Sequence, residues 1–408
     1  MKITILTQYY PPEVGAPQNR LSELAVRLKR NGAEVHVITA MPNYPKMEVH
    51  EGYKGKWRVA EEIEGIKVTR CWIYVPKSKS ILPRLLNYFS FVFSSFWIGL
   101  IRMKKSDYLI CESPPLFLGI TAFMLTRLKR TKMIFNVSDL WPESAEKLGL
   151  VKNRFLLRIS TWLEEFLYKR SRLITGQTQG IVSNISGRFP KKTVYWLPNG
   201  VDISLYDPGK VQASDRSKYG FSDSDRLFCY AGIIGHAQGL EIILNAAKEL
   251  QPEKAAKFIL LGEGPEKARL QEMAKQLQLN NVIFVDAIPK TEMPSFVKMI
   301  DASVIPLRNL ELFRGAIPSK IFESLAMEKP ILLGVEGEAL ELFINKGKAG
   351  LGFVPESVTS LVSQVRLIMD SPELFTQMGK AGRLYVSENF ERNKIAESLF
   401  KFLILHKQ

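Results

Sequence analysis

Six residues in a ten-position window carry the densest chemistry of this chain: Arg314, Gly315, Pro318, Ser319, Lys320 and Glu323. Arginine and lysine hold phosphate oxygens, and so do the free backbone N–H groups at a helix start. Pro318 suits a first helical position, because its φ is already helical and its missing N–H is not needed there. The pattern predicts a short strand at Val304 to Leu307, a polar loop, and a helix from Pro318 to about Met327 that Lys329-Pro330 ends. Such a helix would aim the N–H groups of Ser319 and Lys320, and its positive dipole end, in front of a sheet. Glu323 would repel a phosphate but bind hydroxyls beside one. A diphosphate between two polyhydroxylated rings needs that mixture. A surface helix with a buried Phe322/Leu325 face and solvated charges is the alternative this stretch leaves open.

Other stretches place polar groups at the ends of apolar strands, where ligands of open α/β sheets gather. Leu227 to Ala231 runs into Gly232-Ile233-Ile234-Gly235-His236, a strand–glycine turn–helix pattern that suits close phosphate approach. Phe258 to Leu261 runs into Gly262-Glu263-Gly264-Pro265. In the first half, Ile3 to Leu6 leads to a loop in which Gly15 lets the chain pass close to a ligand. Met133 to Val137 leads to Ser138-Asp139-Leu140-Trp141-Pro142-Glu143. Asp139 and Glu143 therefore stand where an acceptor hydroxyl can lose its proton; Asp139 as a helix N-cap is the alternative. His36 falls inside a strand and is read as structural, and His236 is a polar contact or a surface loop histidine.

The elements that position these residues are strands alternating with helical patterns, so the chain is α/β and doubly wound. At 408 residues two domains are expected. Three scattered cysteines and four scattered histidines argue against a disulfide framework and a structural zinc. No G-x-G-x-x-G is present, so a dinucleotide is not indicated. The N-terminus reads as a strand and not as a signal peptide.

A net charge of +15 admits nucleic acid, anionic membrane or phosphorylated ligands. No nucleic-acid motif accompanies it. The stretch Ile81–Ile101 is rich in Phe and Trp and has no charge between Arg84 and Arg102, with Lys77, Lys79, Lys104 and Lys105 flanking. It is near the lower length limit for spanning a bilayer, and its Ser, Asn and Gly content favours an interfacial helix on anionic headgroups. A core helix is the alternative.

In order, the motifs Pro-Pro-Glu-x-Gly-Ala, Asp-Leu-Trp-Pro-Glu, Leu-Pro-Asn-Gly-Val-Asp, Gly-Glu-Gly-Pro and Pro-Ser-Lys-x-Phe-Glu cover nearly the whole chain. This set resembles retaining glycosyltransferases of family 4, in their bacterial cell-surface polysaccharide (O-antigen, capsule, exopolysaccharide) branch. The resemblance implies a GT-B fold, two Rossmann-like domains facing across a cleft. Residues 1–200 would bind the acceptor, with 391–408 packing back on them, and residues 201–390 would bind the donor. It also implies a nucleotide-sugar donor, UDP-linked and N-acetylated before GDP-linked, and a polyprenyl-diphosphate-linked glycan acceptor. No metal or other cofactor is implied, and no nucleic-acid partner. The expected location is cytoplasmic, peripheral on the inner face of the membrane through residues 81–105. Gly15, Gly235, His236, Gly262, Gly264, Ser319, Lys320 and Glu323 would contact the donor. Arg314 and Lys320 would neutralise its diphosphate, with Asp139 and Glu143 toward the acceptor. The family places two glutamates eight positions apart; Glu323 matches the second, and the first falls on Gly315, with Glu311 as a nearby substitute. Ile233 and Gln238 stand where much of the family carries arginine and lysine. A sugar-nucleotide epimerase and a non-catalytic nucleotide-sugar or membrane-binding subunit are the other readings.

Overall fold

The computed structural model describes residues 1–407 apart from 14, 45–46, 77–80, 148, 150 and 152. Lys77 and Lys79 of the basic flank thus lie outside the described residues. The chain divides into two compact units, Met1–Asn199 with Arg392–Gln408, and Gly200–Glu391.

The first unit contains β1 (Lys2–Leu6), α1 (Ala16–Arg30), β2 (Glu34–Ala40), β3 (Arg58–Ile63), β4 (Ile66–Cys71), α2 (Ile81–Arg102), β5 (Tyr108–Ser113), α3 (Leu118–Lys129), β6 (Lys132–Val137), α4 (Glu143–Lys147), α5 (Arg154–Arg170), β7 (Leu173–Gly176), α6 (Gln179–Arg188) and β8 (Val194–Trp196). Among the described residues its sheet has the order β3-β4-β2-β1-β5-β6-β7-β8. Only the β3–β4 pair is antiparallel. Central strands are covered on both faces and so read as unbroken apolar runs; all six residues of β5 are buried. One face packs against α2, α3, α5 and α6 through Phe91, Leu125, Leu167 and Ile185. The other packs against α1, where Leu21, Leu24, Ala25 and Leu28 recur at helical spacing, and against the chain's last helix.

The second unit contains β9 (Arg226–Ala231), α7 (Glu241–Glu249), β10 (Ala256–Leu261), α8 (Lys267–Gln276), β11 (Val282–Val285), α9 (Met293–Met299), β12 (Ala302–Pro306), α10 (Lys320–Ala326), β13 (Ile331–Gly334), β14 (Gly350–Gly352), α11 (Val358–Asp370) and α12 (Pro372–Asn389). Its sheet is parallel throughout, in the order β11-β10-β9-β12-β13-β14. The last helix, α13 (Arg392–Leu405), belongs to the first unit. Its Ala396, Leu399 and Leu403 join the α1 layer, and the Tyr108 hydroxyl donates to the Leu403 carbonyl at 2.9 Å.

The strand expected at Val304 to Leu307 runs from Ala302 to Pro306, and a helix boundary also differs from the sequence expectation. The helix placed at Pro318 starts at Lys320 and has seven residues. The carbonyls of Pro318 and Ser319 accept from Ile321 and Phe322, three positions on. A tight 3₁₀-like turn therefore precedes the α-helical ladder, the common form of a helix end.

Candidate active site

In the second unit, the loops after β9 and β10 are zipped together. The Gly232 N–H donates to the Leu261 carbonyl, and the Ile234 N–H to the Glu263 carbonyl, both at 2.9 Å. A Cβ on Gly262 would sit 1.9 Å from the Gly232 carbonyl oxygen, and one on Gly264 would sit 2.1 Å from that of Ile234. Gly262 also has φ +139. Both glycines, expected at the donor, are therefore required first by loop-on-loop contact. Gly262→Ala is expected to lose about 1–3 kcal/mol of stability, read as a lower urea midpoint, because strain and clash act together.

Lys320 is the centre of the arrangement. Its Nζ lies 3.6 Å from the centroid of the Tyr230 ring, and a Cβ on Gly232 would be 3.0 Å from it. Tyr230 is held in place by its hydroxyl, which donates to the Ile233 carbonyl at 2.6 Å. Lys320, Glu323 and Ser324 line a small cavity with Cys229 and Phe296. Among the described residues Lys320 has no hydrogen-bond or ion-pair partner; the aromatic face and the nearby Glu323 charge are its compensation. Burial pushes its ammonium down to about 7, against a partial upward pull from Glu323. Perturbation of this kind marks functional sites.

The other expected donor contacts are arranged differently. The His236 ring is 75% exposed, with Nδ1 3.0 Å from a Glu266 carboxylate oxygen. Its carbonyl accepts from Arg308 Nε at 2.8 Å, so the backbone is tied down and the ring faces outward. Gly235 is extended, and a Cβ there would meet the Gln238 amide oxygen at 3.0 Å. Ser319 makes no side-chain cap. Arg314 is exposed and paired with Glu336 at 3.0 Å and Glu311 at 3.5 Å. Such exposed pairs hold weakly. At Gly315 a Cβ would meet nothing within 4 Å; no steric reason excludes a longer side chain there.

In the first unit, the carboxyl ends of β5, β6 and β7 carry a polar chain that the sequence reading missed. Arg20 donates to Glu112 and, at 2.6 Å, to Ser138. Asn136 and Ser138 also donate to Glu112, and Thr175 donates to Asn136 at 2.6 Å. Glu112 is buried. Its signal was present: a lone carboxylate closing an apolar strand. Asp139 follows directly on Ser138. Its carboxylate accepts the Ser144 hydroxyl at 2.8 Å. Burial holds its pKa above the usual range, with the Glu143 charge adding to the effect. It precedes the start of α4 by four positions and accepts Ser144 from inside that helix, so it braces the turn without being an N-cap. Glu143 itself is half-exposed and paired with Lys147 at 2.7 Å. It acts on Asp139 by charge and is not aimed with it.

Gly15 opens α1, the helix that carries Arg20. A Cβ there would lie 2.4 Å from the amide oxygen of Gln18, a buried oxygen without a hydrogen-bond partner among the described residues. The preceding loop is pinned by Glu13, whose carboxylate accepts from the backbone of Asn43, Tyr44 and Tyr10 at 2.8, 2.9 and 3.2 Å. Gly15, Arg20, Ser138 and Asp139 are thus gathered at one end of the first sheet. Among the described residues no group of three or more His, Cys, Asp or Glu is placed to hold a metal ion.

Two Rossmann-like sheets, the first parallel except for its β3–β4 edge and the second parallel throughout, fit the GT-B fold of glycosyltransferases. Comparison with known proteins gives the family. Residues 15–200 match the glycosyl transferase 4-like domain, and residues 211–385 match glycosyl transferases group 1. A protein of Escherichia coli K12 named as a colanic acid biosynthesis glycosyl transferase, WcaI, is 30% identical over 91% of this chain and 93% of its own. A GDP-mannose-dependent mannosyltransferase of Mycolicibacterium smegmatis, named for phosphatidylinositol monomannoside, is 28% identical over 50% of this chain and 54% of its own. Among solved structures, Anabaena Alr3699/HepE in complex with UDP and glucose superposes with a TM-score of 0.73, 17% identity, and coverage of 99% and 100% of the two chains. The chain belongs to the family 4 glycosyltransferases.

Proposed function

We propose that this enzyme moves a sugar from a nucleoside diphosphate donor to a lipid-linked glycan in cell-surface polysaccharide synthesis, with retention and without a metal ion. The favoured donor is a UDP-linked N-acetylated sugar. The observation that carries the reading is Lys320, a desolvated lysine over Tyr230 at the carboxyl end of the second sheet. A diphosphate arriving there would restore full charge to the ammonium. As the bond from the anomeric carbon to the diphosphate oxygen breaks, the charge growing on that oxygen meets a cation in a water-poor site. Glu323, one turn into α10, would accept hydrogen bonds from ribose hydroxyls. The acceptor oxygen bonds to the anomeric carbon and gives its proton to Asp139, whose raised pKa suits a base.

Thermal unfolding against UDP, GDP, ADP and CMP tests the donor class. A ligand at a hundred times its dissociation constant adds about 2.7 kcal/mol. Selective stabilisation by UDP is expected; no response to any nucleotide sinks the reading. The GDP-mannose-dependent relative supports a second reading, a GDP-sugar donor, and GDP-selective stabilisation would establish it.

Membrane contact through residues 81–105 is part of the same proposal, and α2 supports it by its large apolar outer face. Asn87, Ser94 and Ser95 are buried beside Phe91 and Ile98, while Leu86, Phe89, Phe93, Trp97 and Ile101 are exposed at helical spacing. Asn87 donates to the Tyr74 carbonyl at 2.6 Å, and Ser94 donates to that of Trp72. Only 33% of its most apolar window is buried, so most of that window faces outward. The same outer layer exposes Met124 and Leu128 on α3 and Phe155, Ile159 and Trp162 on α5. Phe166 links α5 to α3, stacking on Trp162 at 5.6 Å and meeting Phe123 edge-on at 4.9 Å. Arg84, Arg102, Lys104, Arg154 and Arg158 are exposed around it, as an interfacial surface on anionic lipid requires.

A further inference from the structure

Beneath the carboxyl end of α2, the first sheet leaves a cavity of about 390 Å³. Its floor is the face of the sheet that α2 covers. Under α2 that face is apolar, at Leu6, Ile38 and Cys71. Side chains alternate along a strand, so two residues earlier the same face presents Thr4, His36 and Thr69. There the apolar pattern stops, α2 has ended, and the pleat opens into the cavity. Thr4 and Thr69 are buried. The Thr4 hydroxyl shares a hydrogen bond with Ser106 at 2.8 Å, and His36 Nε2 shares one with the Thr69 hydroxyl at 2.9 Å.

The rim is cationic. Lys67, Arg102, Lys104 and Lys105 line it, all four are exposed, and among the described residues none of their side chains is in an ion pair or hydrogen bond. The carboxylates of the lining are largely engaged. Glu34 is held by Lys2 at 3.2 Å. Glu61 is held by Arg70 and by the Tyr53 hydroxyl. Glu62 stands opposite Lys67 in the β3–β4 register without an ion pair to it, so it offsets one rim cation and leaves the rest in surplus. A half-enclosed pocket whose floor carries hydroxyls and an imidazole and whose rim carries surplus unpaired cations suits an anion.

We infer that this pocket binds a phosphate-bearing ligand, a phosphomonoester or phosphodiester of about glycerophosphate size. The phosphate would be gripped by Lys67, Lys104 and Arg102, with His36 and the floor hydroxyls beneath it. The His36 imidazole is held below its usual pKa, first by burial, then by Lys67; Glu34 opposes them, and Lys104 adds a smaller lowering. An arriving anion reverses that balance, so binding draws a proton onto the ring. This site belongs to the first unit, is separate from Lys320, and does not depend on the donor reading. The phosphate group is shared by two sources, a soluble phosphate ester and an anionic lipid headgroup reached alongside α2.

The 408-residue chain has four histidines, so His36 is followed by imidazole NMR while sn-glycerol 3-phosphate is added. Bicelles of phosphatidylglycerol, and of phosphatidylcholine as the control, form the second arm. The expected result is a displaced His36 resonance and a raised ring pKa. A response weakened at least tenfold is expected in Lys67→Gln/Lys104→Gln, with UDP affinity unchanged. A response to glycerol 3-phosphate assigns the phosphate ester itself; a response confined to phosphatidylglycerol assigns the headgroup. A His36 resonance that moves with neither, or moves equally in the double variant, overturns the inference.

Discussion

Lys320→Met is expected to lower kcat/KM by about 10²–10³, the usual size of losing one preorganised group that stabilises developing charge, while leaving the protein folded and at least as stable as its parent. The second half of that result distinguishes the site from ordinary packing. The ammonium is held at about 7 by burial, far below the ordinary lysine value near 10.4. The sign follows from proton linkage. Between about pH 7 and 10 the unfolded chain keeps a proton that folded Lys320 has released, so the ligand-free enzyme gains stability as pH rises through that window. Below pH 7 the folded protein carries the whole penalty of a desolvated charge. Methionine removes the penalty and fills similar space. UDP should do the opposite to the lysine, raising its pKa and binding with proton uptake. Calorimetric UDP affinity should therefore weaken as pH rises above about 7 in the parent, by up to tenfold per pH unit, and stay flatter in Lys320→Met. A variant that retains activity, or a parent with no pH dependence of UDP binding above 7, contradicts the role assigned to this residue.

The second large effect concerns the outer face of the first unit. Phe93→Glu/Trp97→Glu is expected to reduce binding to phosphatidylglycerol vesicles by about 100-fold or more in a sedimentation assay. Each large apolar side chain transferred from water is worth about 1.5–3 kcal/mol, and about 1.4 kcal/mol is tenfold in affinity. Both residues are already exposed, so the core does not lose them and the melting curve should hardly move. Trp162→Glu on α5 should weaken binding further if the layer docks as one surface. Salt should weaken the parent's binding through its basic rim, without abolishing the apolar part. Vesicle binding unaltered in the double variant would mean that α2 does not face the membrane. Transfer to a water-soluble acceptor fragment should survive these changes, which separates docking from chemistry.

Much of the fold was legible because it is written in local periodicity. The apolar stripe Leu21, Leu24, Ala25, Leu28 forms α1 as expected, and the apolar runs at 3–6, 133–137, 227–231 and 258–261 are central strands. The ordered motifs were enough to identify the family, and Lys320 stood out by type and neighbours. The start of α10 was displaced from Pro318 to Lys320 because the choice between a 3₁₀ turn and an α-helical turn depends on backbone bonds that residue types barely influence.

What the tertiary structure alone decided is which side chains meet. Glu112 and Arg20 are 92 positions apart, and no spacing rule joins them; the order β1-β5-β6 does. Lys320 could be read as a cation from sequence, but its pKa depends on desolvation beside Tyr230, ninety positions away. Asp139 and Glu143 looked alike in sequence, yet burial raises the first and a surface lysine occupies the second. Gly262 and Gly264 resembled ligand-facing glycines, and backbone contact between two loops explains them first. Residue type and spacing thus determined the elements, the family and the candidate groups. Charge state, pairing and exposure arise from contacts between distant segments, and only the folded chain brings those together.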